Sequence, residues 1–174
     1  MKELKAYRIA VKGLSIGIHH FQFEVDKRFF SCFEDAPVMD AEFNVGVTFD
    51  KRSNFYMLIF DIDGKMHTAC DRCMAEIDLP LHGTYDLVVR LEEEEDIDDP
   101  DVIFLDPAED YLDLSQVLYD FLNLTVPLHK TYDCESEDPK PCDEEALKYL
   151  EDQQSGEETQ NPFRDVLKEF GNQS

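Results

Sequence analysis

A chain of 174 residues with 43% hydrophobic side chains, among them thirteen Phe and seven Tyr, can bury one real core and is too short for two full domains. No run approaches the ~20 apolar residues of a membrane-spanning helix, which excludes a helical membrane anchor. The net charge of −24 is lopsided: residues 1–90 hold 11 Lys/Arg against 14 Asp/Glu, whereas residues 91–174 hold 5 against 26, so the second half is repelled by nucleic-acid phosphates.

The opening LKAYRIAVKGL alternates well enough to predict a strand that ends at Gly13. It offers no apolar h-region and no small-residue cleavage site, since Lys5, Arg8 and Lys12 interrupt it, so a cytoplasmic location with reduced thiols is expected. HHFQFEVDKRFF repeats the strand signal, with Phe21, Phe23 and Val25 on one face. The stretch from Ala41 to Cys73 reads as strand, turn, strand, turn, with DKRSN at 50–54 and DIDGK at 61–65 supplying turn residues. A further strand, TYDLVVRLE, follows Gly83, and His82 is expected at a turn.

EEEEDIDDPD at 92–101 carries eight acidic residues in ten and predicts a solvated loop. VIFL predicts a short buried strand. In DYLDLSQVLYDFLNLTVPL the positions Leu114, Val117, Leu118, Phe121 and Leu122 lie at helical spacing, Asp113 is placed to cap, and Pro127 stops the pattern. DEEALKYLEDQQ predicts about two further helical turns, and NPFRDVLKEF a short amphipathic helix with Phe163, Val166, Leu167 and Phe170 as its apolar stripe. Five or six short strands with hairpin-like links predict an α+β fold: an antiparallel β-rich meander or a partly curled barrel, with a C-terminal helical segment. The expected organisation is a core domain over 1–128, closed by a helix at about 113–125. An acidic tail over 129–174 would end in the short helix at about 162–170.

Cys70 and Cys73 stand three apart, followed at long distance by Cys134 and Cys142. Four thiolates satisfy a tetrahedral zinc site, which makes these four the candidate zinc ligands. The second pair has seven-residue spacing in place of two, and its acidic neighbours raise thiol pKa values. The competing readings are buried thiols without a ligand and a redox CxxC, which requires a helix after the first cysteine where strand-like sequence stands here; a zinc-dependent redox protein using the CxxC is the weaker functional alternative. Cys32, alone among aromatics, is expected in the core, and His67 or His129 could replace a cysteine ligand. No nucleophile–base motif or phosphate loop is legible, so no catalysis and no small-molecule substrate are expected.

CDRCMAEIDLPLHGTYDL together with YLDLSQVLYDFLNLTVPLHKTYDC resembles the YceD-like family, the large-ribosomal-RNA-subunit accumulation proteins. Cys70, Arg72 and Cys73 fill that family's C-x-R-C element, and Asp113, Leu114, Leu124 and Pro127 its helix element. NPFRDVLKEF is similar to the endings of members from the Bacteroidetes lineage. The cysteine-rich segment of many relatives is represented here only by Cys134 and Cys142. The resemblance implies a non-enzymatic role in the accumulation or assembly of large-subunit ribosomal RNA.

A strongly anionic rear half suits basic ribosomal proteins or assembly factors as partners, captured by Glu92, Glu93, Glu94, Glu95 and Asp96 and anchored by the Phe163–Phe170 stripe. The rival is direct rRNA contact by the nearly neutral half, with Lys27, Arg28, Lys51 and Arg52 on phosphates. A bland reading leaves the acidic segments as solubilising surface and the cations as ordinary charge.

Overall fold

The computed structural model describes residues 3–34, 36, 40–92, 102–133 and 140–156, the side chains of 151–156 excepted. The chain divides into two compact units. One comprises residues 1–68 and 78–129, the other residues 69–77 and 130–174.

The first unit is built on a five-stranded open sheet in the order β2-β3-β4-β5-β6, formed by Gly17–Val25, Ala41–Lys51, Phe55–Ala69, Glu76–Arg90 and Val102–Phe104. β2, β3 and β4 run antiparallel in sequence, as a meander does, and β6 joins β5 in parallel through Val88–Arg90. The meander expectation holds, and the sheet does not close into a barrel. A two-stranded ribbon pairs β1 (Arg8–Ala10) with β7 (Tyr111–Asp113). Helix α1 (Lys27–Phe30) follows β2, and α2 (Ser115–Thr125) follows β7.

Strict alternation explains the sheet. Phe43, Val45, Val47 and Phe49 on β3, with Tyr56, Leu58, Phe60 and Ile62 on β4, are all buried and share one face. The aromatic side chains of α2 meet the sheet residues there: the Phe121 ring stands edge-on to Phe60 and stacks on Tyr85. The opposite face mixes polar pairs with the exposed Ile18, Met57 and Ile59. Asp61 accepts from Thr84, Asp63 pairs with His82 and His67 with Asp78, and all three pairs fit one antiparallel register of β4 and β5.

Several local expectations change. Glu3–Tyr7 forms a tight 3-10 turn, leaving a strand of only three residues in the opening stretch, where Tyr7, Ile9 and Val11 still turn inward. DIDGK is no turn: β4 passes straight through it, because Phe60, Ile62 and Met66 keep the inner-face period while Asp61 and Asp63 meet solvent. β5 likewise runs unbroken through Pro80, His82 and Gly83. β6 pairs with it only from Val88 onward, so Pro80 sits where a missing N–H costs no ladder bond on that side. Val102–Phe104 is half-buried, and Cys32 lies half-exposed beside Glu3, outside the core.

The ribbon and α2 are joined by Asp113. Its carboxylate accepts from the Ser115 N–H (3.0 Å) and hydroxyl (2.5 Å) at the start of α2, and it pairs with Arg8 at 2.7 Å across the ribbon. Desolvation acts to raise its pKa, but the Ser115 hydroxyl and N–H and the Arg8 guanidinium outweigh it and hold the group below the ordinary carboxylate value. A depressed carboxylate stabilises the fold above its unfolded pKa of about 3.9, and that contribution is lost as pH falls through the lower folded value. Asp113→Ala is therefore expected to cost about 1 kcal/mol at neutral pH. Urea unfolding at successive pH values should show the gap between variant and wild type closing below about pH 4. A gap that persists unchanged into acid would remove the carboxylate from this role.

Candidate functional site

Two features of the described residues carry chemistry, one in each unit. In the second unit the chain leaves β4, makes a tight turn through Cys70, Asp71, Arg72 and Cys73, and enters β5. The Met74 N–H donates to the Cys70 carbonyl and the Cys70 N–H to the Ala75 carbonyl, both at 2.8 Å. Met74 takes the left-handed φ of 59° that this closure needs. Cys70 and Cys73 are both buried. Burial acts to raise the Cys70 pKa, yet the backbone N–H groups of Arg72, Cys73 and Tyr132 and the Cys73 thiol all reach its sulfur and leave the group below its ordinary value. The segment beginning at Lys130 docks on this turn: Asp71 N–H donates to the Lys130 carbonyl (2.8 Å), and Lys130 N–H returns to the Asp71 carboxylate (2.7 Å). Cys142 is buried in the same unit, disulfide-bonded, with the Arg72 guanidinium 3.8 Å from its sulfur.

In the first unit a cleft of about 560 Å³ opens beside β2 and β3. Its floor is aromatic, with Tyr7 and Phe29 edge to face at 4.7 Å. Glu3, Glu24, Asp26 and Glu42 surround it. Arg28 also lines the cleft, but its guanidinium already faces Asp26 at 3.8 Å. Burial raises the Tyr7 pKa, with the Asp26 charge adding to it, so the phenol stays protonated and donates to the Glu24 carbonyl at 3.0 Å.

The family model of the large ribosomal RNA subunit accumulation protein YceD matches residues 58–171, more than half of the chain, and so covers the Cys70 turn, α2 and α3 (Glu144–Gly156). The chain belongs to the YceD family. That membership attaches it to accumulation of the large-subunit ribosomal RNA. No curated protein and no solved structure matches the chain.

In this YceD member Glu93, Glu94, Glu95, Asp96, Cys134, Phe163, Val166, Leu167 and Phe170 lie outside the described residues, and Glu92 stands at their border. Cys70 and Cys73 come together. Among the described residues no three His, Cys, Asp or Glu side chains form a ready metal cage. His67 is held by Asp78, and the His129 side chain is exposed.

The four cations are not brought together. The β2–β3 ladder pairs Gly17 with Lys51 at one end and Val25 with Phe43 at the other. Lys51 and Arg52 therefore sit about 26 Å along the ladder from the end that leads into Lys27 and Arg28, at ~3.3 Å per residue. Lys51 donates to the Val11 and Leu14 carbonyls (2.7 and 2.9 Å), and Arg52 pairs with Asp50 at 2.6 Å. The acidic cleft went unseen in the sequence because its carboxylates come from three separate segments. The alternation of Glu24 and Glu42 on outward strand positions was its only trace.

Proposed function

We propose that this YceD-family protein serves large-subunit ribosomal RNA accumulation as a non-enzymatic acidic adaptor, which binds basic ribosomal proteins or assembly factors in place of gripping RNA phosphates. The observation that carries this reading is the placement of the cations at the two ends of one ladder, with Lys51 and Arg52 engaged by the fold itself, while Glu3, Glu24, Asp26 and Glu42 all line one open aromatic-floored cleft. A lysine or arginine stem fits such a floor, with its charged end among the carboxylates. Charge complementarity of this kind acts chiefly on encounter rate and specificity, and it weakens as salt screens it.

The test is binding of the purified protein to basic large-subunit proteins and, separately, to large-subunit RNA fragments across a salt series. Glu24→Lys with Glu42→Lys is expected to weaken the protein complexes about tenfold, equivalent to ~1.4 kcal/mol. Reversing Lys51 and Arg52 is expected to leave RNA binding unchanged. Tight RNA binding that collapses on reversing Lys51 and Arg52, with protein binding indifferent to salt, would establish the rival reading of direct rRNA contact.

A further inference from the structure

The β2 strand forms one border of the five-stranded sheet, with β3 on one side and no strand on the other among the described residues. Hydrogen bonds fix which of its backbone groups face that border. The Arg52 N–H donates to the Phe55 carbonyl where β3 passes into β4, so even-numbered residues of β3 turn their backbone groups toward β4 and odd-numbered ones toward β2. The β2–β3 register pairs odd with odd, which leaves Ile18, His20, Gln22 and Glu24 with both N–H and C=O outward. The Glu24 carbonyl agrees, since it accepts from the Tyr7 hydroxyl at 3.0 Å. That phenol covers the border at Glu24. Among the described residues the outward backbone groups of Ile18, His20 and Gln22 make no hydrogen bond. Sheet edges are usually blunted by proline, lysine, a bulge or an inward charge, and Gly17–Phe23 carries none of these.

We propose that this border is a strand-addition site, where an extended cationic segment of a partner protein pairs with Ile18–Gln22 and runs on into the carboxylate cleft at Glu24. The proposal rests on the adaptor reading above and specifies the conformation in which the basic partner is held. Main-chain hydrogen bonds to the three outward residues supply affinity, and alternate side chains of the added strand fall on the two faces of the sheet. On the inner face Phe21 is only half-buried, its ring edge-on to Phe49 at 6.1 Å, so an apolar side chain laid beside it completes its cover. At the other end, the open space beside Gln22 and Phe23 shares Tyr7, Glu24 and Asn44 with the carboxylate cleft. A chain leaving the border there meets Glu3, Asp26 and Glu42, which select lysine and arginine. A second copy of this protein would instead bring another net charge of −24 to the same place, so repulsion favours a cationic segment over self-pairing.

The full-length protein is titrated with a synthetic peptide of alternating lysine and valine, about ten residues long, which spans the strand and the cleft. Two twins carry the same charge, one methylated on the valine backbone nitrogens and the other on the lysine backbone nitrogens. Only one of these sets of N–H groups can face β2, so one twin is expected to bind at least about tenfold more weakly than the parent. The parent peptide should slow amide exchange of Ile18, His20 and Gln22 about tenfold or more, while Val45 and Phe60 at the sheet centre stay as they were. His20→Pro removes an outward N–H without breaking the β2–β3 ladder and should weaken the parent peptide about tenfold, whereas His20→Ala, which keeps that N–H, should bind as wild type does. Should the proline variant fail to fold, the methylated twins still decide the matter. Equal affinity of the parent and both twins, with binding still lost in Glu24→Lys with Glu42→Lys, would leave the adaptor reading standing and overturn strand addition. Failure of every peptide to bind would overturn both. Border amides that slow with protein concentration alone would give the border to a second copy and overturn the proposal as well.

Discussion

Gly64→Ala lowers the stability of the protein by about 3 kcal/mol or more, while the same change at Gly46, on the neighbouring strand, is neutral or stabilising by ~0.5 kcal/mol. A Cβ at Gly64 would overlap the Glu42 carbonyl oxygen and stand 2.5 Å from Phe43 Cδ1 and 2.9 Å from Phe43 Cα. Two of those atoms are backbone of β3, which is paired along its length with β2 on one side and β4 on the other. Phe43 is buried, so its ring has no free space to rotate into. The methyl group can be admitted only by parting β3 from β4. At Gly46 the nearest atom to a new Cβ is the Asp61 carbonyl oxygen at 3.8 Å, an ordinary contact, and alanine there narrows the unfolded ensemble. Urea unfolding of the two variants side by side measures the contrast directly. Because Glu42 and Phe43 also line the acidic cleft, Gly64→Ala should reduce binding of basic partners in step with its loss of stability. Equal stability of the two alanine variants would mean that the β3–β4 approach is not as close as described.

Gly64 also marks where sequence reasoning reaches its limit. Asp63-Gly64 carries the strongest short-range turn signal, yet the chain runs straight, because three inward positions, Phe60, Ile62 and Met66, gain more from a continuous buried face than a turn would give. The glycine serves a close backbone approach, and no local pattern distinguishes the two uses. The α2 helix was legible for the opposite reason. Its apolar spacing and Pro127 beyond its end are local signals that agree with the tertiary packing, whereas the N-cap position falls on Leu114, without a side-chain cap, and Asp113 one residue earlier holds the Ser115 N–H.

The thiol turn was legible as a pair and no further. The spacing of Cys70 and Cys73 shows in the sequence, but the docking of Lys130 and Tyr132 on that turn joins residues about sixty positions apart. The approach of Arg72 to Cys142 spans seventy, and no periodicity encodes either contact. Charge behaved in the same way. The asymmetry between the two halves could be counted, whereas the separation of Lys51 from Lys27 follows only from the β2–β3 register.

The second large effect is expected at Phe121, where α2 meets the sheet. Its ring stands edge-on to Phe60 at 5.1 Å and lies almost parallel to Tyr85 at 4.7 Å, with only 7% of the residue exposed. Truncation to alanine removes both ring contacts and leaves a cavity that its neighbours cannot readily fill, since Phe60 is wholly buried and the Tyr85 hydroxyl is tied to Thr125 at 3.3 Å. The expected loss is about 3–5 kcal/mol, a large share of the 5–15 kcal/mol that holds a typical domain together. Leu124, on the same helix but 67% exposed, is the control, and its change to alanine should stay within ~0.5 kcal/mol. Native-state hydrogen exchange distinguishes detachment of α2 from global loss. If Phe121 clamps the helix, the amides of Leu118 and Leu122 should lose protection before those at the β3–β4 centre, around Val45 and Phe60. Simultaneous loss throughout would make α2 an inseparable part of the sheet's core, and full protection of the helix in Phe121→Ala would show that Leu114, Leu118 and Leu122, all buried, suffice to dock it.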